Sequence, residues 1–366
     1  MSELATLVRR LIRERGPLDV GAYMQLVMGH PTLGYYATRD PFGREGDFIT
    51  APEISQVFGE LMGLALAQRW LDLGRPDPVL LVEIGPGRGT LMADAWRATR
   101  AVPGFHAACR LHLVETSRKL RDLQAARVGS AGAHWHDDLS TVPEDAPLLL
   151  VANEFLDALP VRQFERALDG WRERLVTLTT AGELAWATAA ERSPFHPVLA
   201  DRHPGAPIGA VVELAPLREA VADAIGRRLA AHDGAALLID YGARRLNGPT
   251  LQGVRRHATA DPLLDPGEAD VSALVDFGAL AVAGEAAGAA AWGPVGQGEL
   301  LLRLGARQRQ AALVRGREPS EAEAIAAAIE RLLDPGQMGV LFQVLALTGP
   351  ASGPPPGFGA EERWQA

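Results

Sequence analysis

The sequence predicts an α/β protein that is built on an open, mostly parallel sheet with helices on both faces. The first observation is the run 79–84, which is rich in β-branched and aliphatic residues without alternation, as expected of a parallel strand buried on both faces. The second is the strand and helix alternation from 79 to about 160, and the third is another apolar run at 235–240. An N-terminal helical segment and an inserted region of short strands and helix complete the predicted fold.

We expect five consecutive segments along the chain. They are an N-terminal helical segment with a lid (1–75), the first part of the core (76–160), an inserted substrate or partner region (161–232), the remainder of the core with helical additions (233–348) and a flexible tail (349–366).

Composition indicates a globular chain and excludes several classes of protein. Cys109 is the one cysteine, so a disulfide framework is excluded and an oxidising compartment is not required. No apolar run approaches the roughly 20 residues of a membrane span. The formal net charge of −9 argues against a general nucleic-acid binder and mildly favours a cationic partner.

The first helix is predicted from amphipathic spacing near the N-terminus. Apolar residues recur between Leu4 and Ile12 with arginines between them. A transit peptide has the same amphipathic character, but Glu3 and Glu14 favour a docked terminal helix.

Two further helices are predicted from their caps. Asp19 can accept a hydrogen bond as the N-cap of a helix over 20–28. A long apolar-periodic helix is expected to open at Pro52-Glu53 and to continue to Leu73. Thr50, followed three residues later by Glu53, has the pattern of a capping box for it. Because a cap explains Thr50 and Glu53 locally, a purely structural role for both stays open.

The strand at 79–84 is followed by Gly85, Gly87 and Gly89, which permit positive φ angles and leave the backbone open to a ligand. The backbone N–H groups from Thr90 onward then face the cleft. A dinucleotide fingerprint would need its third glycine at position 90. The spacing therefore disfavours a nicotinamide dinucleotide and indicates a different ligand.

Further strands of the core are expected at 111–115, 134–138, 148–152 and 235–240, with Ser117 capping the helix after the first of them. Ligands of open α/β sheets lie beyond the carboxyl ends of the strands. The residues at those ends are Glu83, Glu115, Asp137, Asp138, Leu139, the segment Asn153 to Pro160, and Asp240 with Tyr241 and Gly242. Any single acid here could be an ordinary helix cap, but their joint placement at one edge predicts a binding cleft.

The remaining chain departs from the strand and helix alternation. Short strands are expected at 164–168, 171–178 and 183–187, a helix from Glu213 to His232, helix through the alanine-rich tract 279–291, and a closing strand at 342–347. The segment from Gly349 is rich in proline and glycine and is expected to be loose.

The pattern E-x-G-x-G-x-G from Glu83 to Gly89 resembles the first motif of class I methyltransferases, which bind S-adenosyl-L-methionine. The resemblance implies a Rossmann-like core in which the glycines pack against the amino-acid and ribose parts of that cofactor. It also implies that Glu115 accepts hydrogen bonds from the ribose hydroxyls and that 137–139, which are Asp137, Asp138 and Leu139, contact the adenine ring.

Residues from about 16 to 348 resemble the MidA-like family of class I methyltransferases. The matching segments are GDFITAPEISQVFGE (46–60), the glycine motif, NEFLDALP (153–160), DYG (240–242), DPGEAD (265–270), VDF (275–277), QG (297–298), MG (338–339) and FQVL (342–345). The family includes a mitochondrial assembly factor of respiratory complex I that is associated with symmetric dimethylation of an arginine. The resemblance therefore implies a protein-arginine methyltransferase whose partner is an arginine-containing protein, such as a complex I subunit.

The same resemblance guides expectations about location and assembly. Eukaryotic members act in the mitochondrial matrix, whereas this chain begins close to the family's N-terminal helix and is expected to be a cytoplasmic bacterial member. We expect neither nucleic acid nor an integral membrane segment among its partners, and a homodimer stays open.

Arginine methylation needs carboxylates, because a guanidinium stays protonated in water with a pKa above about 12. A carboxylate can hold one nitrogen in line with the methyl group and accept its proton. Glu154 and Asp157 are three residues apart and would share a face if Asn153 caps a helical turn. We expect Glu154 to be the main guanidinium ligand and Asp157 the second, although the two-glutamate loop of familiar arginine methyltransferases is absent.

The segment before residue 60 is expected to contribute a lid. The loop 39–47 has a polar, glycine-containing composition that suits closure over a cofactor. In the family this region lines the cofactor site, which implies contacts from Asp47, Thr50 and Glu53. His257 could orient substrate, but a lone histidine near a turn is more often structural.

No metal site is expected, because His134 and His136 alternate on a strand without a cysteine or carboxylate at ligand spacing. Two other functions stay open at this stage. One is a non-catalytic assembly protein that keeps the fold, and the other is an NAD(P)-dependent oxidoreductase, which Thr90 disfavours.

Overall fold

The computed structural model describes residues 2–38, 50–255 and 258–365. Asp47, which the sequence predicts to be a site residue, and His257, for which a structural role is the more common interpretation, lie outside these ranges. Within the described ranges, no helix combines the length and the apolar character that crossing a membrane requires.

The helices are α1 (Glu3–Arg15), α2 (Val20–Gly29), α3 (Tyr35–Thr38), α4 (Ala51–Ile54), α5 (Gln56–Asp72), α6 (Thr90–Thr99), α7 (Phe105–Ala108), α8 (Arg118–Val128), α9 (His196–Arg202), α10 (Pro216–His232), α11 (Phe277–Ala286), α12 (Gln297–Arg303), α13 (Ala306–Val314), α14 (Pro319–Leu333) and α15 (Met338–Leu341). Short 3₁₀ turns cover Gly129–Ala131, Leu139–Thr141 and Ala360–Glu362.

The strands are β1 (Leu18–Asp19), β2 (Val79–Ile84), β3 (Cys109–Val114), β4 (His134–His136), β5 (Leu148–Asn153), β6 (Arg162–Ala167), β7 (Gly170–Leu178), β8 (Leu184–Thr188), β9 (Val211–Leu214), β10 (Gly234–Ala243), β11 (Gln252–Arg255), β12 (Ala258–Ala260), β13 (Asp270–Ser272), β14 (Val275–Asp276), β15 (Ala290–Gly296) and β16 (Phe342–Thr348).

The chain forms two compact units. The first unit comprises Met1–Phe48, Asp157–Arg218 and Leu246–Leu274, and the second comprises Ile49–Leu156, Glu219–Arg245 and Val275–Ala366. The five consecutive segments expected from the sequence remain a prediction about its organisation.

The second unit contains the predicted sheet, in the order β15-β16-β10-β5-β2-β3-β4 with β14 paired to β10. The pairs from β10 through β4 are parallel, and β16 runs antiparallel between β10 and β15. Strands β2 and β5 are buried along their whole length, which explains why their mostly aliphatic sequences show no alternation. The expected α/β class with a mostly parallel sheet is confirmed.

The first unit is built around an antiparallel sheet in the order β1-β7-β6-β9, with β8 paired to β7, and a smaller sheet in the order β12-β11-β13. Its apolar core is formed by buried residues of α1 and α2 together with Val161, Val176 and Val271. Helix α2 begins as expected, because the Asp19 carboxylate accepts a hydrogen bond from the Ala22 N–H at 2.8 Å.

The predicted helix from 53 to 73 is wrong in one respect. Helix α4 ends at Ile54, and Ser55 is extended, with φ −153° and ψ 133°, before α5 begins. The Ser55 hydroxyl accepts a hydrogen bond from the Val57 N–H at 3.3 Å. A second N-cap therefore interrupts what the apolar spacing predicted as one helix.

Two other predicted helices are shorter than expected. Glu213 and Leu214 do not begin the helix, because they end β9 and pair with β6, and α10 starts at Pro216. The alanine-rich tract leaves the helix at Ala286 and pairs with β16 from Ala290 onward. Sheet pairing overrides the helix propensity of alanine in this tract.

The segment after Gly349 packs closely despite its proline and glycine content. Phe358 and Trp364 are buried, and the backbone N–H of Trp364 donates to the Ala291 carbonyl at 2.9 Å. The Arg244 guanidinium carbon lies 3.9 Å from the centre of the Trp364 ring. Aromatic anchors thus order a segment whose composition predicted a loose tail.

Candidate cofactor and active site

The carboxyl ends of the central strands are level with one another in the second unit. Ile84, the last residue of β2, lies opposite Val114 of β3 and Ala152 of β5. Val114 in turn lies opposite His136 of β4. The residues that follow these strands therefore share one edge of the sheet, as the sequence predicted.

The glycine turn adopts backbone conformations that residues with a side chain disfavour. Gly85, Gly87 and Gly89 have φ angles of 66°, 53° and 78°. A Cβ atom on Gly85 would lie 2.9 Å from Cδ2 of Phe155. Both the conformation and the close approach thus require glycine, and α6 begins immediately after the turn at Thr90.

Glu83 is a buried carboxyl beneath this turn. Among the described residues its Oε2 atom has no hydrogen-bond partner. Burial, together with the negative charge of Glu115, raises the pKa of Glu83 to about 8, although a hydrogen bond from the Met92 N–H opposes the shift. The cleft therefore holds an acceptor that protein groups leave unsatisfied.

Glu115 follows β3 and is held by its surroundings. Its carboxylate accepts hydrogen bonds from the Ser117 N–H at 2.8 Å and from the Gln124 side-chain amide at 3.2 Å. Burial raises the pKa of Glu115 above its ordinary value, which these hydrogen bonds partly counteract. Ser117 also caps α8 as expected, accepting from the Leu120 N–H at 3.4 Å.

The three residues after β4 have different surroundings. Asp137 is largely exposed and forms an ion pair with Arg121 at 2.5 Å. Asp138 accepts from the Ser140 N–H at 2.8 Å, which caps the following 3₁₀ turn, and hydrogen bonding from the Ser140 hydroxyl and N–H lowers the pKa of Asp138. Leu139 is buried. Asp138 thus serves a local turn whatever else it contacts.

Thr50 and Glu53 do not form the expected capping box. Thr50 precedes α4, but its side chain makes no capping hydrogen bond. The Glu53 carboxylate instead accepts a short hydrogen bond from the Thr90 hydroxyl and pairs with Arg127 at 3.3 Å. Glu53 therefore contacts the start of α6, immediately after the glycine turn.

Asn153 and Glu154 end β5 differently from the sequence prediction. Asn153 is the last strand residue rather than a helix cap, and Glu154 has a positive φ of 50°. No helix lies between β5 and β6, so the capped helical turn on which the predicted shared face of Glu154 and Asp157 depended is not formed in this described segment. The Glu154 Oε1 atom accepts from the Ala51 N–H at 3.0 Å and from the Asn153 side-chain amide at 3.1 Å.

Asn153 adds a second unsatisfied acceptor. It is buried, and its Oδ1 atom has no hydrogen-bond partner among the described residues. Together with Glu83 Oε2, this atom suits a ligand that donates hydrogen bonds or carries positive charge, rather than one rich in phosphate oxygens.

Asp157 is the first residue of the segment Asp157–Arg218 of the first unit. Its carboxylate accepts from the Ala158 N–H at 2.8 Å. Its backbone carbonyl accepts from the Arg218 guanidinium at 2.9 Å and from the Ala273 N–H at 3.2 Å. Arg218 is buried and also donates to the carbonyls of Leu159, Ala273 and Leu274.

The sequence interpretation missed Gln124 and Arg218. Each is a buried polar residue in a helix whose sequence shows no motif around it. Their importance arises from carbonyl and carboxylate acceptors that are distant along the chain, which a spacing pattern does not reveal.

The histidines near the sheet edge contact one another. A ring nitrogen of His112 lies 2.9 Å from one of His136, and burial lowers the pKa of His112 to about 4. Over the described ranges, no group of three or more ligating side chains could hold a metal ion.

Comparison with known proteins gives the family. Residues 61–295 match a family model described as "Putative S-adenosyl-L-methionine-dependent methyltransferase". Among curated proteins, the mitochondrial protein arginine methyltransferase NDUFAF7 homolog of Drosophila melanogaster is 35% identical over 94% of this chain and 84% of its own length. Human mitochondrial NDUFAF7, also named a protein arginine methyltransferase, is 34% identical over 92% of this chain and 81% of its own length.

A solved structure supports the same assignment. A COG1565 superfamily member from Burkholderia thailandensis, bound to S-adenosyl-homocysteine, is 31% identical with a TM-score of 0.84, covering 97% of this chain and 94% of the other. With the glycine turn and the acidic strand ends in place, the chain belongs to the Methyltransf_28 family and is an S-adenosyl-L-methionine-dependent methyltransferase.

Proposed function

We propose that this methyltransferase modifies arginine side chains of a protein acceptor. The observation that carries the proposal is the Glu154 carboxylate at the end of β5, held by the Ala51 N–H and the Asn153 amide. The names of the curated relatives, which are protein arginine methyltransferases, support the same acceptor.

We propose that the cofactor occupies the edge of the sheet in the second unit. The glycine turn leaves backbone accessible, and the unsatisfied Oε2 atom of Glu83 fits a donor such as the cofactor's ammonium group. Glu115 would accept from the ribose hydroxyls, and 137–139 would lie against the adenine. Thr50, which precedes α4, and Glu53 of α4 would contribute cofactor contacts, with Glu53 hydrogen-bonded to Thr90.

When bound, S-adenosyl-L-methionine would supply an electrophilic methyl carbon whose bond to sulfur breaks on transfer, leaving S-adenosyl-homocysteine. Glu154 would hold the guanidinium by charge-assisted hydrogen bonds and take up the proton that the nitrogen releases as it bonds to carbon. Asn153 would keep the Glu154 carboxylate oriented, since its amide already donates to Oε1. Asp157 would serve as the second acid.

A matched pair of variants tests the proposal. The full-length wild type, Glu154→Gln and Gly87→Val are titrated calorimetrically with S-adenosyl-homocysteine. Each is then incubated with cofactor carrying a deuterated methyl group and an extract from cells that lack this protein. Modified residues are located by mass spectrometry.

We expect Glu154→Gln to bind S-adenosyl-homocysteine like the wild type and to transfer methyl groups about 100-fold or more slowly. Gly87→Val, which adds a branched side chain at a φ of 53°, should lose both properties. Labelled side chains other than arginine would contradict the acceptor. Equal loss of binding and transfer in Glu154→Gln would assign Glu154 to the cofactor site instead.

The acceptor that we propose to examine first is a respiratory complex I subunit, with the cytoplasm as the place of reaction. The resemblance to the MidA-like family supports this choice. If the labelled arginines fall only in other proteins, the arginine chemistry stands and the complex I proposal fails.

A further inference from the structure

Gln124 lies in α8 and is fully buried. Its Nε2 atom donates to the Gly87 carbonyl at 2.8 Å and to the Glu115 carboxylate at 3.2 Å. Its Oε1 atom accepts from the Trp135 indole N–H at 2.8 Å. One amide thus connects the glycine turn, the acid after β3 and strand β4.

The orientation of this amide is determined by its partners. The Trp135 indole nitrogen can only donate, whereas the Gly87 carbonyl can only accept. A flipped Gln124 amide would oppose donor with donor and acceptor with acceptor. The N–H groups must therefore face Gly87 and Glu115, independently of any assignment of oxygen and nitrogen.

The backbone of α8 also approaches the turn closely. A Cβ atom on Gly89 would lie 3.2 Å from the Cα and Cγ atoms of Gln124. The turn therefore packs directly against Gln124. A change in the Gln124 side chain should affect both the glycine turn and Glu115.

We propose that Gln124 is a positioning residue of the cofactor site, which holds the Glu115 carboxylate and the Gly87 carbonyl in their binding arrangement. The inference rests on the proposed role of Glu115 toward the ribose and extends it to a residue that itself need not touch the cofactor. The side-chain hydrogen bond from Gln124 counteracts the effect of burial on Glu115, which raises its pKa. Without Gln124, Glu115 would be protonated more easily and would turn more freely.

The test compares Gln124→Met with Gln163→Met in the full chain. Gln163 is a matched control in the first unit, because it is also buried and donates to a glutamate, Glu213, at 2.7 Å. Both variants should lose thermal stability. Only Gln124→Met should weaken binding of S-adenosyl-homocysteine, by about 10- to 100-fold in calorimetric titration.

Two further measurements separate positioning from general damage. With the 2′-deoxyadenosyl analogue of S-adenosyl-homocysteine, the fold-weakening of binding caused by Gln124→Met should become smaller, because one of the ribose hydroxyls that Glu115 is proposed to contact is missing. Gln124→Glu should bind better at pH 6 than at pH 8 relative to wild type, because only a protonated carboxyl can donate to Glu115 or Gly87.

Equal weakening of the ribose and deoxyribose ligands, or equal weakening by Gln163→Met, would overturn the inference. Glu115→Gln tests the underlying assumption separately. If this variant binds both ligands as wild type does, Glu115 does not contact the ribose, and the proposed role of Glu115 fails before that of Gln124 is considered.

Discussion

Glu83 illustrates how a binding site can oppose the stability of the protein that carries it. Its Oε2 atom is buried without a partner among the described residues, and its pKa is raised to about 8. Near neutral pH the carboxyl is therefore largely protonated in the folded, cofactor-free protein. A cationic ligand group would favour the ionised form, so the unmet acceptor is consistent with cofactor binding.

The raised pKa predicts how stability depends on pH. An unfolded Glu83 titrates near 4.5, whereas the folded one titrates near 8. Its contribution to stability is complete below pH 4.5 and is lost as pH rises to 8, because folding then takes up a proton. The free energy of unfolding should fall by up to about 1.4 kcal/mol per pH unit from this group.

Urea unfolding of cofactor-free protein between pH 5 and 9 measures this dependence. Glu83→Gln cannot titrate and should lack this part of the slope, so its stability relative to wild type should rise with pH. Glu115 also has a raised pKa, mainly from its own burial; that part is common to both proteins, and only its charge interaction with Glu83 differs between them. A difference between the two proteins that does not change with pH would disprove the buried, protonated Glu83.

The break between α4 and α5 is the main difference between predicted and observed elements near the site. It turns the short helix α4 so that its first N–H meets the Glu154 carboxylate at 3.0 Å and Glu53 contacts the start of α6. A continuous helix from 53 to 73 would have lacked the separate N-terminus that Ser55 provides for α5.

Two N-cap positions allow a direct comparison of the two helices. Ser55 caps α5 through its hydroxyl, whereas the Thr50 side chain makes no cap hydrogen bond to α4. Ser55→Ala should lower the free energy of unfolding by about 0.5–2 kcal/mol. Thr50→Ala should change it by less than about 0.5 kcal/mol. Both values are measured by urea unfolding without cofactor, and a larger loss for Thr50→Ala would contradict the observed caps.

At the scale of the whole molecule, the features predicted best are those that short segments encode. The buried runs at 79–84 and 148–152, the glycine turn after the first of them and the caps Asp19 and Ser117 all depend on neighbouring residues. These local features predicted the class of the sheet and the edge on which the candidate site lies.

The features missed depend on residues that are distant along the chain. The strand at Ala290–Gly296 exists because it pairs with Phe342–Thr348, and the tail is ordered by Trp364 packing near Ala291. Gln124 and Arg218 act through acceptors on other elements. No local propensity of alanine, proline or glutamine carries that information, so sequence spacing alone cannot predict it.

Glu60 provides the clearest case of long-range organisation in the second unit. It is buried on α5 and forms ion pairs with Arg97 of α6 at 2.7 Å and with Arg309 of α13 at 2.6 Å. Burial alone would raise its pKa, but hydrogen bonds and charges from the two arginines outweigh burial and hold the pKa of Glu60 below its ordinary value. One carboxylate thus joins three helices.

Replacing Glu60 should therefore destabilise the protein in a pH-dependent way. Glu60→Gln should lower the free energy of unfolding by about 2 kcal/mol at pH 7, because both charge-assisted contacts are lost. A control, Asp145→Asn, breaks the exposed pair with Arg110 and should cost less than about 1 kcal/mol. Because the folded pKa of Glu60 is depressed, the wild-type advantage is complete above pH 4.5 and decreases as pH falls through the folded pKa. Urea unfolding at pH 7 and at successively lower pH tests this, and an advantage that grows on acidification would show that Arg97 and Arg309 do not stabilise the ionised carboxylate.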